Sequence, residues 1–311
     1  MRARGDEVVA LVRSDSAAGA VREVGATPVA GDLLDEAGVA AAMAGCDVGF
    51  HVAGVNTLCP SDPSELERIN VGGAAAVARA AADAGLPRLV HTSSSSAIGE
   101  PKGTIGREDT PHRGWYLSDY DRTKHAGERA VLEIGAERGL DVVCVNPASV
   151  QGPGRATGTA KMLLAQLDGR LKVFVDTRIS VVDIDDCTRG HLLAAERGAP
   201  GERYILCGVT LTSEEALALL RGLSGRDERP RFIPAAIAPP LAGAVELACR
   251  ALHRDPPACR AMARTLLHGH AYDGSRATRE LGLEYTPVED TLRRTAAWAW
   301  HEGLLRHPLP G

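Results

Sequence analysis

The chain has 311 residues, enough for one large α/β domain or for a domain with a smaller companion. Hydrophobic residues make up 44% of it, and a formal net charge of -5 is spread over acidic and basic residues mixed throughout. That composition supports an ordinary core, while the lack of a basic stripe excludes nucleic acid as an expected partner and no acidic block marks a disordered tail.

In chain order, Glu7–Arg13 reads as a strand, followed by a helix over Ala17–Val24, a strand over Thr27–Ala30 and a helix over Glu36–Ala44. Asp47–Ala53 is the next strand, and Ser64–Ala84 a long amphipathic helix. Arg88–Ser93 follows as a strand, then a loop to about Asp119, a helix over Asp119–Arg138 and a strand over Asp141–Asn146. Strands alternating with helices predict βαβ units and a parallel sheet covered on both faces, with ligands beyond the carboxyl ends of the strands. After Pro147 the pattern loosens around Gln151-Gly152-Pro153-Gly154; a helix is expected near Thr159–Asp168, a returning strand at Glu202–Leu206, and mostly helix from Ser213 on. The reading divides the chain into a dinucleotide-type domain over 1–150 with 182–208, and a substrate-side subdomain over 151–181 with 209–311.

The longest uncharged run, Phe232–Val245, is fourteen residues broken by Pro234, Pro239 and Pro240. It is too short to span a bilayer and reads as a buried or lid-like segment. The seven cysteines form no C-x-x-C pair, and most sit among apolar neighbours. They are expected to be buried reduced thiols, with neither disulfide nor metal, which favours the cytoplasm; the first residues carry no signal-peptide pattern.

The strongest chemical signal is Tyr120-Asp121-Arg122-Thr123-Lys124. Positions four apart share a helix face, so an ammonium can approach the phenol and favour its ionised form. The pair is then an acid–base device for a proton on a carbinol oxygen. Upstream, the strand ending in His91-Thr92 opens into Ser93-Ser94-Ser95-Ser96, where a hydroxyl at a strand's carboxyl end can hydrogen-bond an oxygen developing charge.

Strand, Thr-Ser-Ser, Y-x-x-x-K helix, Asn146-Pro147 and Gly152-Pro153-Gly154 together resemble the extended short-chain dehydrogenase/reductase superfamily, in the branch of dihydroflavonol-type reductases and hopanoid-associated sugar epimerases. The resemblance covers essentially the whole chain. Its further markers are Gly31-Asp32-Leu33, His51-Val52-Ala53-Gly54, Asn70-Val71-Gly72-Gly73, Asp183-Ile184-Asp185-Asp186, Gly201-Glu202-Arg203-Tyr204 and the run Ser275–Gly282. The resemblance implies a Rossmann-like, doubly wound parallel sheet with a smaller, mostly helical subdomain. It makes Tyr120 the catalytic acid/base and Lys124 the residue that lowers its pKa and holds the nicotinamide ribose. Ser94 is the favoured catalytic serine, with Ser95 and Ser96 still open. It also implies that Asp32 and Leu33 flank the adenine, that Ala53 and Gly54 line the ribose and pyrophosphate path, and that Pro147 borders the nicotinamide. Asn70 is expected to tie a helix to the neighbouring strand, and Asp32 can equally act as a helix N-cap.

One departure stands out. The family opens with a strand and a glycine-rich turn at a helix N-terminus, and this sequence has no such turn. A mis-assigned start codon, a clipped chain and a degraded gene all fit. The expected consequence is a gap or collapsed seam at the cofactor site, with strands Glu7–Arg13 and Arg88–Ser93 losing the partner between them. Arg13, where an NAD-preferring protein places an acid, points to NADP over NAD. The expected activity is NAD(P)-dependent hydride transfer at a hydroxyl or keto carbon of a small organic substrate. Sugar or sugar-nucleotide epimerisation, and a non-catalytic or inactive cofactor-binding chain, are the alternatives. The loop Gly99–Ser118, with His112, Trp115 and Tyr116, is expected to border the substrate together with Gln151 and Arg178, His112 as a loop residue rather than a catalyst. A homodimer through helices Ser64–Ala84 and Asp119–Arg138 is also implied.

Overall fold

β-branched runs punctuated by glycine, proline and aspartate alternate with alanine-rich helices, and this alternation builds a parallel sheet packed on both faces. The computed structural model of the chain describes residues 1, 4–254 and 256–307. Its first part runs β1 (Val9–Val12), α1 (Asp15–Glu23), β2 (Thr27–Ala30), α2 (Glu36–Met43) and β3 (Gly49–His51). Next, α3 (Pro63–Leu66) passes through a π-helical stretch (Glu67–Gly73) into α4 (Ala74–Asp83), β4 (Arg88–Thr92), a 3-10 turn (Ser95–Ile98), α5 (Asp119–Arg138) and β5 (Asp141–Pro147). Beyond these lie β6 (Ser149–Gln151), α6 (Thr159–Leu167), β7 (Val173–Phe174), β8 (Arg178–Asp183), α7 (Ile184–Arg197) and β9 (Arg203–Leu206). The chain closes with β10 (Val209–Thr212), α8 (Ser213–Ser224), β11 (Arg231–Phe232), α9 (Ala238–Ala251), α10 (Arg260–His268) and α11 (Val288–His301).

The central sheet has the order β3-β4-β5-β9, all parallel. Successive residues serve opposite faces: Leu89 and Val142 enter the core under α4 and α5, whereas Val90 and Val143 enter the core that also holds Tyr204, Ala277, Leu281 and Leu283. A second sheet, β10-β8-β6, and the pair β11-β7 belong to the later part of the chain, where a third core joins α6, α8 and α11.

The parallel pair β1-β2 stands apart from the central sheet. Among the described residues no strand bridges the two, in keeping with the seam the sequence suggests. Its place differs from the expectation, however: β4 is paired on both sides, with β3 and β5, so the edge that faces the seam is that of β3.

Three other expectations change. The helix Ser64–Ala84 is not continuous, because the π-helical stretch turns Asn70 inward; its Oδ1 accepts from Val55 N at 2.8 Å, and its Nδ2 donates to Val55 O at 3.0 Å and Thr123 Oγ1 at 3.2 Å. The run Phe232–Val245 is not buried: it spans β11 and the start of α9, and Phe232, Ile237 and Leu241 are exposed. Prolines fit there because they occupy the first turn of α9, which has no backbone acceptor to lose. Finally, Cys59 and Cys259 are joined in a disulfide, their Cα atoms 5.7 Å apart across a sequence separation of 200. Spacing along the chain hides this pair, because the fold brings the loop after β3 against the N-terminus of α10. The other five cysteines are free thiols.

The unfolded chain should therefore show five reactive thiols without reductant and seven after reduction. Reduction should lower folding stability by roughly 2–4 kcal/mol. Seven reactive thiols before reduction, in protein prepared without reductant, would remove the cross-link.

Candidate active site

Ser118 caps α5, its Oγ accepting from Asp121 N at 3.2 Å, so the helix opens directly before Tyr120. Tyr120 and Lys124 lie one turn apart on the face toward the carboxyl end of β4. Lys124 is buried, and its Nζ donates to the Thr92 carbonyl at 2.8 Å. Just past β4, Ser94 caps the 3-10 turn, its Oγ accepting from Ser96 N at 3.3 Å and Ser96 Oγ at 3.1 Å. Ser94 is also the serine that lowers the pKa of the Tyr120 phenol, whereas Ser95 acts on Tyr272. The structure thus brings Ser94, Tyr120 and Lys124 to one place.

Burial governs the electrostatics here. It pushes the Tyr120 phenol above its ordinary pKa, a shift that the Ser94 hydrogen bond and the Arg155 charge oppose and that Asp121 reinforces. It lowers the Lys124 ammonium to about 8, against the pull of Glu128. Lys124 Nζ donates to the Thr92 carbonyl, and Arg155 is the cation that works against burial at the Tyr120 phenol. Arg155 follows Gly152-Pro153-Gly154 in the loop after β6, and its Nε is buried without a hydrogen-bond partner. The sequence reading marked the motif but passed over this arginine, because one arginine among many carries no local signal.

A buried carboxylate braces the arrangement. Glu128, on α5, receives Asn146 Nδ2 in a short hydrogen bond and Arg203 Nη1 at 3.0 Å, and the same Asn146 amide donates to Ser94 O at 3.0 Å. On the other side of α5, Gly127 allows close approach to the π-helical stretch, where a Cβ would collide with the Asn70 carbonyl.

The remaining expected cofactor residues occupy the amino-terminal side. Arg13 is exposed at the end of β1, beside the Ser14 cap of α1. Asp32 Oδ1 accepts from Leu34 N at 3.0 Å; the cap of α2 is Asp35. Leu33 is buried against Gly73, while Ala53 and Gly54 are exposed after β3, and Pro147 ends β5 opposite Leu206. A Cβ on Gly54 would stand 3.2 Å from Asn70 Oδ1 and 4.0 Å from Lys124 Nζ, so the missing side chain keeps the space before Lys124 clear. The nicotinamide and ribose end of a dinucleotide thus fits the residues present. For the pyrophosphate, the described residues provide no glycine-rich turn.

Substrate-side expectations divide. Arg178 lines a cleft of about 730 Å³ with Lys102, Asp176, Phe232 and His268, whereas Gln151 lines a small apolar cavity of about 60 Å³ with Met162, Leu217 and Leu292. Ser94, Tyr120 and Lys124 line neither one. His112 packs over Gly99 and stacks on His125 at 4.4 Å, its pKa lowered to about 4 chiefly by burial; Trp115 is exposed under Arg113. His112 is therefore a packing residue of the loop. No helix among the described residues is long and apolar enough to cross a membrane.

Comparison with known proteins agrees with this geometry. Residues 1–207 match the model of the NAD dependent epimerase/dehydratase family. The chain is 33% identical to sterol demethylase protein B of Methylococcus capsulatus, over 97% of this chain and 94% of that protein. It is 30% identical to a putative dihydroflavonol 4-reductase of Synechocystis, over 97% and 90% of the two chains. Its fold is similar to that of a nucleoside-diphosphate-sugar epimerase of Pseudomonas aeruginosa, with a TM-score of 0.78, 25% identity, and 98% and 93% of the chains covered. The chain belongs to the NAD dependent epimerase/dehydratase family and is an enzyme of the extended short-chain dehydrogenase/reductase superfamily.

Proposed function

We propose that this enzyme catalyses reversible hydride transfer between a nicotinamide cofactor and a hydroxyl or keto carbon of a small organic substrate. The observation that supports this reading is the convergence of Ser94, just past β4, with Tyr120 on α5 and with Lys124 buried one turn further on. The bound nicotinamide accepts or supplies the hydride. Tyr120 gives a proton to the substrate oxygen in reduction and takes it in oxidation. Ser94 Oγ hydrogen-bonds that oxygen as charge develops, and Arg155 favours the phenolate that results. Lys124 holds the nicotinamide ribose, with Pro147 beside the ring. Asp32 and Leu33 flank the adenine, and Ala53 and Gly54 line the path between. This assigns roughly 1–150 with 182–208 to the dinucleotide and the remainder to the substrate, although Ala277, Leu281 and Leu283 pack behind the central sheet. The five free thiols support the cytoplasmic location read from the cysteines, and the Cys59–Cys259 bond is the observation against it.

A second reading, epimerisation of a sugar nucleotide, uses the same oxidation twice in opposite directions. It is favoured by the likeness to the nucleoside-diphosphate-sugar epimerase and by Arg178 and Lys102, which offer cations to an anionic group in the 730 Å³ cleft. Incubating the enzyme and cofactor with ketones and with nucleotide sugars separates the two readings. Net change in nicotinamide absorbance marks the first, and an interconverted sugar without net change marks the second.

Tyr120→Phe should lower turnover by roughly 10²-fold or more while leaving cofactor affinity nearly intact. Lys124→Ala should harm both. Because the ammonium must be charged to hold the ribose, and burial sets its pKa at about 8, cofactor affinity should fall as pH rises through that value. Full activity in Tyr120→Phe would overturn the mechanism.

The exposure of Arg13 at the end of β1 supports NADP over NAD, since a guanidinium there pairs with a 2′-phosphate through charge-assisted hydrogen bonds. NADPH should bind more tightly than NADH, and Arg13→Ala should erase the difference. Equal affinities in the unaltered enzyme would refute this assignment.

We also infer a homodimer in which α4 and α5 of each copy meet. Light scattering should give twice the 32.6 kDa chain mass, and a monomer at all concentrations would exclude it.

A further inference from the structure

A second cluster of chemistry-bearing side chains, none of which the proposed mechanism uses, lies beyond the serine turn. Glu100 follows the serine turn, while His268 ends α10 and His270 stands two residues beyond it. Glu100 Oε1 is 2.6 Å from His270 Nδ1 and 3.3 Å from His268 Nε2, and the three donor atoms all lie within 4.8 Å of one another. Glu100 is 1% and His268 6% exposed, and the His270 side chain only 15%.

Hydrogen bonding within the protein does not exhaust this cluster. Glu100 Oε2 and His270 Nε2 are buried with no partner. Nearby, buried Asp121 has both carboxylate oxygens without a hydrogen bond, and the Arg113 guanidinium stands 3.5 Å from one of them. The Glu100 carboxylate is thus met by the two histidines on one oxygen only. Leaving such a carboxylate half-satisfied in a desolvated pocket is costly, and a cation is the natural complement.

We propose that Glu100, His268 and His270 form a divalent-metal site of the zinc type. Two imidazole nitrogens with one carboxylate oxygen suit zinc, and not magnesium or calcium, which take oxygen donors. Donor atoms around tetrahedral zinc lie roughly 3.3 Å apart, the spacing already present between Glu100 and His268, so His270 need move only slightly outward. The Tyr272 hydroxyl, 2.9 Å from His270 Nδ1, or a water completes the shell. The ion would pin the loop that follows Ser94 to the end of α10, where His268 also lines the 730 Å³ cleft. Its role is structural, and it takes no part in the hydride chemistry. The absence of a cysteine pattern concealed such a site in the sequence, since its histidines are separated from Glu100 by some 170 residues of chain.

The full-length protein, stripped with chelator and shown folded by circular dichroism, is titrated with Zn²⁺ by calorimetry and with Co²⁺ by visible absorption. One equivalent should bind with a Kd of about 10 µM or tighter, and Co²⁺ should show four-coordinate d–d bands without a thiolate charge-transfer band. Glu100→Gln and His270→Asn should each weaken binding roughly tenfold or more. No saturable binding by the unaltered protein up to about 100 µM would overturn the proposal and leave a metal-free hydrogen-bonded cluster. A thiolate band, or unchanged affinity in both variants, would overturn it by placing the metal on the free cysteines or elsewhere. Should either variant fail to fold, the cobalt spectrum of the unaltered protein still decides.

Discussion

One buried carboxylate holds the geometry of the candidate site together. Glu128 is anchored on α5, and by taking the Asn146 amide and the Arg203 guanidinium it locks that helix to the ends of β5 and β9. Because the Asn146 amide also reaches the Ser94 carbonyl, the same contact sets the backbone of the serine turn relative to the helix that carries Tyr120. A lone carboxylate at this depth is unfavourable; paired with a cation and an amide, it becomes a rigid pivot. Removing it would take a partner from both Asn146 and Arg203, leaving Arg203 held by the Glu108 carbonyl and Asn146 by the Ser94 carbonyl.

Around that pivot, Lys124 Nζ donates to the Thr92 carbonyl, and Arg155, in the loop after β6, works against the effect of burial on the Tyr120 phenol. The Asn70 amide plays a corresponding part after β3, holding Val55 and hence the segment that includes Gly54.

Much of this was legible in the residues. Thr27–Ala30 and Asp119–Arg138 are read to the residue, because each is bounded by strong punctuation and carries an unbroken pattern. Two marker runs proved to be partners of one another: Arg276 bonds Glu202 at 2.8 Å and lies over the Tyr204 ring, whose hydroxyl reaches Glu280, while Asp183 and Asp186 receive Thr291 and Thr286 from beyond the last marker. Such residues are recognisable in order because each needs the next. The illegible part was set by long-range contact. β6, β7, β10 and β11 have two to four residues each, too few to show a period, and exist because neighbouring strands complete them. The π-helical stretch at Asn70 obeys a tertiary demand that helical periodicity cannot express. Glu128, Arg155 and the Cys59–Cys259 pair depend likewise on what the fold brings near.

That last pair has a topological meaning. By joining positions 200 residues apart, it closes most of the polypeptide into a covalent ring that contains the serine turn, α5, the arginine loop and most of the residues that line the two cavities. A peptide bond cut at a surface loop inside this ring opens the loop but releases no fragment. The enzyme's working parts would stay tethered after a nick that would divide a linear chain in two.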